Sequence, residues 1–168
     1  ENGPLPSPRF DDTSPRVTQS TWDSMNRLAS RTDGDGLITT YSYDAAGNPT
    51  GSTTRTAATT ARSEGTLGYD SNDRIIRQVD AAGVVTTYTL NAVGNVLVKV
   101  EASGTATART TTYTYDQGGT RLRSETTAAG RLTRYEYEGG SDRLTRKTVE
   151  DAADATHTVL HEETWSYY

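Results

Sequence analysis

The stretch YSYDAAGN, residues 41–48, contains the pattern that decides the fold. Tyr41 and Tyr43 are two residues apart, so both rings lie on one face if this segment is a β-strand. Asp44 follows at once, and Gly47 occupies the fourth position of a tight turn, where a residue with positive φ closes a hairpin. The stretch therefore predicts a strand that ends in a hairpin turn, with the two tyrosines as its packing anchors.

The same pattern recurs along the chain at steps of 21 to 30 residues, which predicts a repeat protein. Its ring anchors are Trp22, Tyr41, Tyr43, Tyr69, Tyr88, Tyr113, Tyr115, Tyr135, Tyr137, Trp165 and Tyr167. Its turn residues are Asp23, Asp44, Gly47, Asp70, Asn91, Gly94, Asp116 and Glu138. A column of Arg or Asn residues, the Arg/Asn column, follows the turns: Arg27, Asn48, Arg74, Asn95, Arg121 and Arg143.

A second break separates consecutive units, at TDGDG, DAAGV, EASGT and TAAGR. The stretches LITTYSY and VVTTYTL alternate with period two, and they lack the spacing of three and four residues that an amphipathic helix needs. Each unit is therefore expected to be two antiparallel strands joined by turns. Six units predict an all-β chain of tandem antiparallel hairpins with about twelve strands.

Three of the units, YSYDAAGN, YTYDQGGTRL and YEYEGGSDRL, closely resemble the unit of the YD-repeat or RHS-repeat family. WDSMNRL and GYDSNDRI are moderately similar, and YTLNAVGNV has lost the second tyrosine and the acid. The resemblance covers roughly residues 20 to 168. The family includes bacterial polymorphic toxins, the shell-forming subunits of insecticidal toxin complexes, and the extracellular part of teneurins.

What the resemblance implies is an architecture. In the family, hairpins pair side by side into a long curved strip that spirals into a hollow shell, often around a toxic domain. Self-processing members carry an Asp-Pro-x-Gly-Leu stretch for cleavage, and this sequence contains no Asp-Pro. The resemblance therefore implies an arc of a shell or a repeating filament, and it does not imply autoproteolysis or toxicity.

Composition narrows the range of partners and suggests a division of the chain. With 17 Lys and Arg against 22 Asp and Glu, the net charge of −5 argues against nucleic acid as a partner. There is no cysteine for a disulfide or a thiolate metal site, and no apolar run approaches the ~18 residues of a membrane span. We interpret residues 1–18 as a Pro-rich irregular lead, and residues 19–168 as the repeat strip and a fragment of a longer repeat array.

The recurrent acid has a catalytic and a structural interpretation. Paired carboxylates can perform acid–base catalysis, whereas an Asp at the first position of a turn accepts hydrogen bonds from backbone N–H groups. Six copies in register, one of them the amide Asn91, favour the structural role. The Arg/Asn column is likewise interpreted as a structural ladder that bonds carbonyls or stacks on rings, rather than as an anion site.

Two weaker patterns suggest metals. DGDG, residues 33–36, has carboxylates at alternate positions as in a calcium loop, but it lacks the later ligands of an EF-hand. His157 and His161 have the spacing of a zinc pair on a helix, but the segment leads into a predicted strand. No nucleophile elbow or phosphate-binding glycine loop occurs. The prediction is therefore a chain with no catalytic residue, metal or cofactor.

The predicted function is a structural repeat segment of a secreted or surface-displayed bacterial protein, whose β-shell encloses or presents an effector. Further YD repeats of the same or a neighbouring chain are the expected partners. Twelve strands at ~4.8 Å each form a sheet only ~58 Å wide, whereas a shell around a cavity ~30 Å across has a circumference of ~94 Å. The alternative is an extracellular adhesion surface, filament-forming or not, that binds surface glycans through exposed rings beside Asn, Asp and Arg.

Overall fold

The computed structural model describes residues 17–116, 118–153 and 156–167, which form thirteen strands and no helix. The strands are β1 (Gln19–Trp22), β2 (Leu28–Thr32), β3 (Ile38–Tyr43), β4 (Pro49–Arg55), β5 (Arg62–Tyr69), β6 (Ile75–Val79), β7 (Val85–Leu90), β8 (Val96–Glu101), β9 (Arg109–Tyr115), β10 (Leu122–Thr126), β11 (Arg131–Tyr137), β12 (Leu144–Asp151) and β13 (Val159–Thr164). With no helix in these ranges, none is available there to cross a membrane.

All thirteen strands lie in one sheet in chain order, and every neighbouring pair is antiparallel. The predicted all-β fold of tandem hairpins is confirmed, with one strand more than the twelve expected. The additional strand is β13, which begins a seventh unit and leads into Trp165 and Tyr167. The proposed lead over residues 1–18 falls almost entirely outside the described residues, and its boundary with the repeat strip stays a prediction.

Composition explains why these segments are strands. Leu, Ile, Val and Phe make up only 24 of the 168 residues, whereas threonine alone supplies 31 and tyrosine ten. Threonine is branched at Cβ and tyrosine is aromatic, and both suit a pleated, half-buried surface. The sequences of β3 (ITTYSY), β7 (VTTYTL) and β9 (RTTTYTY) show this composition directly.

The register of the strands divides the sheet into two chemically different faces, because residues paired across strands share a face. We call one the tyrosine face. It carries the first ring of most units, alternating with polar partners on the next strand: Tyr41 with Ser52, Tyr88 with Lys99, Tyr113 with Glu125, and Tyr135 with Lys147. The opposite face, here the threonine face, includes the pairs Thr40 with Thr53, Thr87 with Val100, and Thr112 with Thr126.

A β-bulge recurs in all six hairpins that close at the repeated turns. In the hairpin of β3 and β4, Ser42 pairs with Gly51 and Tyr43 pairs with Pro49, so Thr50 is an extra residue on the second strand. The same shift occurs beside Trp22, Tyr69, Leu90, Tyr115 and Tyr137. A bulge bends its strand and increases the right-handed twist, so each unit adds the same bend to the sheet.

Almost nothing in this sheet is buried. Of the described residues, only Leu132, Thr148 and Glu150 are less than about a tenth exposed, and all three lie on the threonine face of β11 and β12. Large apolar side chains remain exposed, among them Trp22 at 60% and Met25 at 67%. The sheet is therefore a single layer without a conventional core, and its order depends on contacts between neighbouring strands.

Candidate functional site

The repeated turns lie together at one end of the strands, and the row that they form is here called the YD edge. It consists of residues 23–27, 44–48, 70–74, 91–95, 116–121 and 138–143. Because successive strands are antiparallel, every second connection lies at the YD edge, and the other connections lie at the opposite ends of the strands. All the recurrent acids and the whole Arg/Asn column are thereby brought into one row, which makes this edge the candidate site.

The turn from Asp70 to Arg74 shows how one unit closes. Asp70 N donates to Arg74 O at 2.9 Å, and Asp73 N donates to Asp70 O at 3.2 Å. The carboxylate accepts from the backbone of Asn72 at 2.9 Å and of Arg74 at 3.0 Å through Oδ1. Its Oδ2 accepts from Arg74 Nε at 2.7 Å. All of the carboxylate's hydrogen bonds are therefore made inside its own turn.

The other five turns follow this plan with local changes. Asn91 accepts the same two backbone bonds through Oδ1, at 3.1 Å from Val93 N and 2.9 Å from Asn95 N. Glu138 is the weakest copy, with its carboxylate 3.6 Å from Arg143. Each turn is closed by a residue with positive φ: Asn26 (60°), Gly47 (98°), Asp73 (58°), Gly94 (96°), Gly119 (71°) and Gly140 (76°).

Arginines of the column connect one turn to the next. Arg27 Nη1 donates to Asp44 O at 3.2 Å, Arg74 Nη1 to Asn91 O at 3.0 Å, and Arg121 Nη1 to Ser141 O at 2.6 Å. The guanidinium of Arg27 also lies 4.5 Å from the centre of the Tyr43 ring. Each of these three arginines thus holds its own acid with one nitrogen and the backbone of the following turn with another, forming a ladder along the YD edge.

The two asparagines of the column make shorter versions of this link. Asn48 Nδ2 donates to Asp73 Oδ1 of the next turn at 2.6 Å, and Asn95 Nδ2 donates to Gly119 O at 2.7 Å. Asn91 adds a second bond to the same Gly119 carbonyl at 2.9 Å. The ladder therefore continues where arginine is absent.

In four units the second tyrosine forms a further link that sequence reasoning did not find. Its hydroxyl donates to the backbone carbonyl of the residue that follows the Arg/Asn column in the preceding unit. The four bonds are Tyr43 to Leu28 (3.0 Å), Tyr69 to Pro49 (2.7 Å), Tyr115 to Val96 (2.9 Å) and Tyr167 to Leu144 (2.9 Å). These rings were expected to act through packing alone, but each also closes the seam between two units.

Leu90 occupies this tyrosine position in the fourth unit and has no hydroxyl to donate. A shallow cavity of about 290 Å³ lies at its place, lined in part by Ile75, Tyr88, Leu90 and Val96. The pairing between β6 and β7 has three residue pairs, from Arg77 with Thr87 to Val79 with Val85, as many as the pairings of β2 with β3 and of β10 with β11. The seam between β6 and β7 therefore lacks the hydroxyl link that four other seams have.

We expect Tyr43→Phe to lower the free energy of unfolding by ~0.5–1.5 kcal/mol, because the carbonyl of Leu28 loses its donor. Leu90→Tyr is expected to raise it by a similar amount, since a cavity lies beside Leu90 and Ile75 holds the position whose carbonyl accepts the tyrosine hydroxyl in four other units. Urea denaturation followed by circular dichroism measures both. That the hydroxyls hold the units together stays a prediction, and equal stability of Tyr43→Phe and the parent chain would refute it.

Hydrogen bonds lower the pKa of four of the recurrent acids. For Asp23 the largest cause is the backbone N–H of Arg27, and for Asp70 and Asp116 it is the side-chain bond from the arginine of the same turn. For Asp44, partial desolvation is the largest single cause and raises the pKa, but the hydrogen bonds from Asn48, Gly47 and Ala46 together outweigh it and the pKa still falls below its usual value. These acids are held ionised as acceptors, so they are poor proton donors.

Acid should therefore destabilise the sheet. The folded-state pKa of these acids lies below the ordinary value of 3.8, so their stabilisation is present above that pH and is lost as the pH falls through the folded-state values. We expect the melting temperature to be nearly constant from about pH 7 to pH 5 and to drop steeply below about pH 4. In Asp70→Asn the drop in melting temperature below about pH 4 should be smaller. A drop as large as in the parent chain would show that the ionised Asp70 does not stabilise the sheet.

The first tyrosines differ from the second ones. Tyr41, Tyr88, Tyr113 and Tyr135 are half-buried on the tyrosine face, and their hydroxyls have no hydrogen-bond partner within the described ranges. Burial raises the pKa of Tyr113 and of Tyr135, so these phenols remain neutral near neutral pH. Lys99 lies between Tyr88 and Tyr113 and donates to Glu101 at 3.0 Å. This row has the character of a packed surface rather than of a catalytic one.

Three predicted anchors lie at the ends of the described sheet and are exposed there. Trp22 on β1 is 60% exposed, and Trp165 and Tyr167 beyond β13 are 39% and 45% exposed. The guanidinium of Arg143 lies 5.4 Å from the Tyr167 ring. Inside the sheet, Tyr137 is reached by Arg121 at 5.8 Å.

The two metal patterns do not converge on a site. Asp33 Oδ1 accepts from the backbone of Asp35 at 3.0 Å and of Leu37 at 2.9 Å, as in the other turns. His157 lies 3.4 Å from Glu150, whereas His161 lies 2.9 Å from Glu163. Within the described part of the chain, no three His, Asp or Glu side chains are grouped as metal ligands.

Comparison with known families identifies the repeats. Residues 22–60 and 69–106 match the RHS repeat family. These two segments match the RHS repeat. The resemblance expected from the YD pattern is thereby confirmed, and the turns from Asp116 to Arg121 and from Glu138 to Arg143 repeat the same geometry beyond the matched segments. No curated protein matches the chain.

Solved structures with the same fold come from Tc toxins. The crystal structure of TcdB2-TccC3-Cdc42 has a TM-score of 0.66 at 22% identity over 79% of this chain, and TcdB2-TccC3 without its hypervariable C-terminal region has 0.63 at 20% over 88%. A Photorhabdus luminescens Tc holotoxin pore with a TccC3 mutation has 0.55 at 17% over 88%. This chain spans only 7% to 9% of the length of these proteins, so the likeness shows the fold of a segment.

Proposed function

We propose that this chain is a non-catalytic structural segment of a β-shell, which encloses or presents an effector in a secreted bacterial protein. The observation that supports it most is the construction of the sheet. Thirteen strands form one layer without a core, and the titratable groups of the YD edge are used in bonds that join each turn to itself and to the next. The repeated acids fix their own turns, and the arginines connect one turn to the next.

The single layer also favours a role inside a larger object. A sheet with both faces open is rarely stable alone, and its exposed rings and edges are suited to contact with further strands. Thirteen strands at ~4.8 Å span ~62 Å, less than the ~94 Å circumference around a cavity ~30 Å across. One copy of the described sheet is therefore an arc, and additional RHS strands would complete the enclosure.

The tyrosine face could instead bind glycans, and one experiment separates the two functions. The isolated chain is applied to a glycan array, and its shape is measured by small-angle X-ray scattering in the same buffer. The shell segment predicts no glycan binding and the scattering of a curved, hollow or partly closed particle. Specific binding to a glycan class, or the scattering of straight uniform fibres, would overturn the proposal. A Tyr88→Ala and Tyr113→Ala double variant is the matched control for any binding through the face.

A further inference from the structure

The tyrosine face has a cavity at the third unit, where a leucine interrupts the row of first rings. Leu67 stands two residues before Tyr69, at the position that Tyr41 and Tyr88 hold in their own units, and it lies on the same face. A cavity of about 360 Å³, here called the Leu67 cavity, lies beside it. Its lining includes one ring, three apolar side chains and two carboxylates: Tyr41, Pro49, Leu67, Val79, Glu64 and Asp80.

The backbone around the Leu67 cavity differs from that of the other units. Opposite Ser52 of β4, strand β5 has two residues, Glu64 and Gly65, which is a β-bulge. Among the described residues, Gly65 is the one with positive φ that lies inside a strand. A Cβ on Gly65 would lie 2.6 Å from Val79 O, and a Cβ on Gly51 would lie 2.6 Å from Gly65 O. Neither glycine has a side chain to fill the cavity, so its depth is built into the strands.

The lining of the Leu67 cavity carries negative charge without a basic residue. Glu64 Oε1 accepts from Thr54 Oγ1 at 2.6 Å, and Asp80 Oδ1 accepts two backbone bonds of 2.9 Å inside its own turn. Each carboxylate is therefore held by one oxygen, and in the described part of the chain neither has an ion-pair partner. Two other cavities with an acid in their lining also contain an arginine: Glu101 with Arg109, and Asp151 with Arg131. The charge of the Leu67 cavity thus favours a cationic occupant.

The chain's own arginines indicate which cation suits such a lining. Arg27 donates to the Asp23 carboxylate at 2.8 Å, and its guanidinium lies 4.5 Å from the centre of the Tyr43 ring. Arg121 has the same pair of partners in its unit. The Leu67 cavity combines the same two groups, a carboxylate and the ring of Tyr41, with apolar surface. Apolar surface suits the aliphatic stem of an arginine, whose planar head stacks on rings and bonds carboxylates.

We propose that the Leu67 cavity binds an arginine side chain from an extended segment of the effector polypeptide. This inference rests on the proposed function, in which the sheet encloses or presents an effector. The cavity lies at the lower end of the ~300–1,000 Å³ range of ligand pockets, so it accepts one side chain rather than a folded surface. The stem of the arginine contacts Leu67 and Pro49, and its guanidinium contacts the Tyr41 ring and the carboxylates of Glu64 and Asp80.

A titration followed by NMR tests the site at single residues. The capped peptide acetyl-Ala-Arg-Ala-amide is added to the parent chain, and the backbone amide of Gly65 and the side-chain amide of Gln78, which also lines the cavity, are observed. We expect a dissociation constant of ~1–10 mM, and binding at least about threefold weaker when citrulline, which has the shape of arginine without its charge, replaces the arginine. Equal binding of the two peptides overturns the proposal. So do shifts at these amides with methyl glucoside and none with the arginine peptide.

Leu67→Tyr restores the ring that other units have and fills the cavity. It should weaken binding of the arginine peptide at least about tenfold, while circular dichroism shows that the β-sheet is kept. Leu90→Tyr is the matched control, because it makes the same change at the neighbouring cavity and should leave the affinity unchanged. Unchanged affinity in Leu67→Tyr, or an equal loss in both tyrosine variants, overturns the proposal.

Glu64→Gln tests the charge without filling the cavity. Glutamine keeps an oxygen that accepts from Thr54, so the sheet should be unaffected, and the peptide should bind at least about threefold more weakly. Glu101→Gln removes an exposed carboxylate that bonds Lys99 instead, and it should leave the affinity unchanged. Equal affinities of the two variants contradict the role of Glu64. These titrations do not depend on the shape of the particle, so failure of the arginine site and failure of the shell role are distinguishable.

Discussion

Replacing Gly65 with alanine should destabilise the sheet more than any other single methyl addition among the glycines with positive φ. Gly65 has φ of +117°, a conformation that L-residues rarely adopt. A Cβ at this position would lie 2.6 Å from the carbonyl oxygen of Val79 on β6, and that atom is backbone. Strain and steric overlap act together here, and each typically costs 1–3 kcal/mol, so we expect a loss of ~2–5 kcal/mol.

Gly83→Ala is the matched control for this substitution. Gly83 has φ of +84°, but its added Cβ meets nothing within 4 Å, so only the backbone strain remains and a loss of about 1 kcal/mol is expected. Urea denaturation followed by circular dichroism measures both variants. If Gly65→Ala and Gly83→Ala were equally stable, the close approach of β5 to β6 would have no energetic importance.

The second large effect is expected at Gly47, where valine should cost ~2–3 kcal/mol. Gly47 has φ of +98° at the closure of its turn, and a β-branched residue is strained there. Space is also limited, because the added Cβ would lie 3.9 Å from Arg27 Nη1, and the methyl groups of valine extend further toward that guanidinium. The link from Arg27 to the Asp44 carbonyl is therefore disturbed as well.

Asp44→Asn in the same turn should cost less than about 0.5 kcal/mol. The chain already contains this arrangement, since Asn91 accepts backbone bonds from Val93 and Asn95 with its amide oxygen. Asparagine is also a preferred residue at the first position of such turns. The comparison by thermal and urea denaturation separates a turn residue from a chemical one. A larger loss in Asp44→Asn than in Gly47→Val would reopen the question of chemistry at the carboxylate.

The local structure of each unit follows from its sequence because the determinants lie close together along the chain. Paired rings two residues apart, an acid at the start of a turn and a glycine at its fourth position fix a strand and its closure without help from distant residues. Asp44, Gly47 and Asn48 illustrate this, since their mutual bonds span only three or four residues. Repetition then allowed the sheet to be predicted from one unit.

The contacts between units could not be read in this way, because their partners are 15 to 28 residues apart along the chain. Tyr43 bonds to the carbonyl of Leu28 and Tyr69 to that of Pro49. Every residue has a backbone carbonyl, so the residue type does not indicate which one accepts the bond. The substitution of leucine at position 90 was the one available signal, since it removes a hydroxyl as well as a ring. The contact between Gly65 and Val79 could not be predicted from the sequence either, because a glycine in a strand does not indicate which backbone segment lies close to it.

Sequence by itself determined the repeat, the hairpin, the turn chemistry of Asp44 and the placement of the rings on one face, because all of these depend on neighbours within a few residues and on period two. Tertiary structure alone decided the bulge at the end of each repeated hairpin and the tyrosine links across the seams. These depend on register between strands, and register is set only when the whole sheet forms.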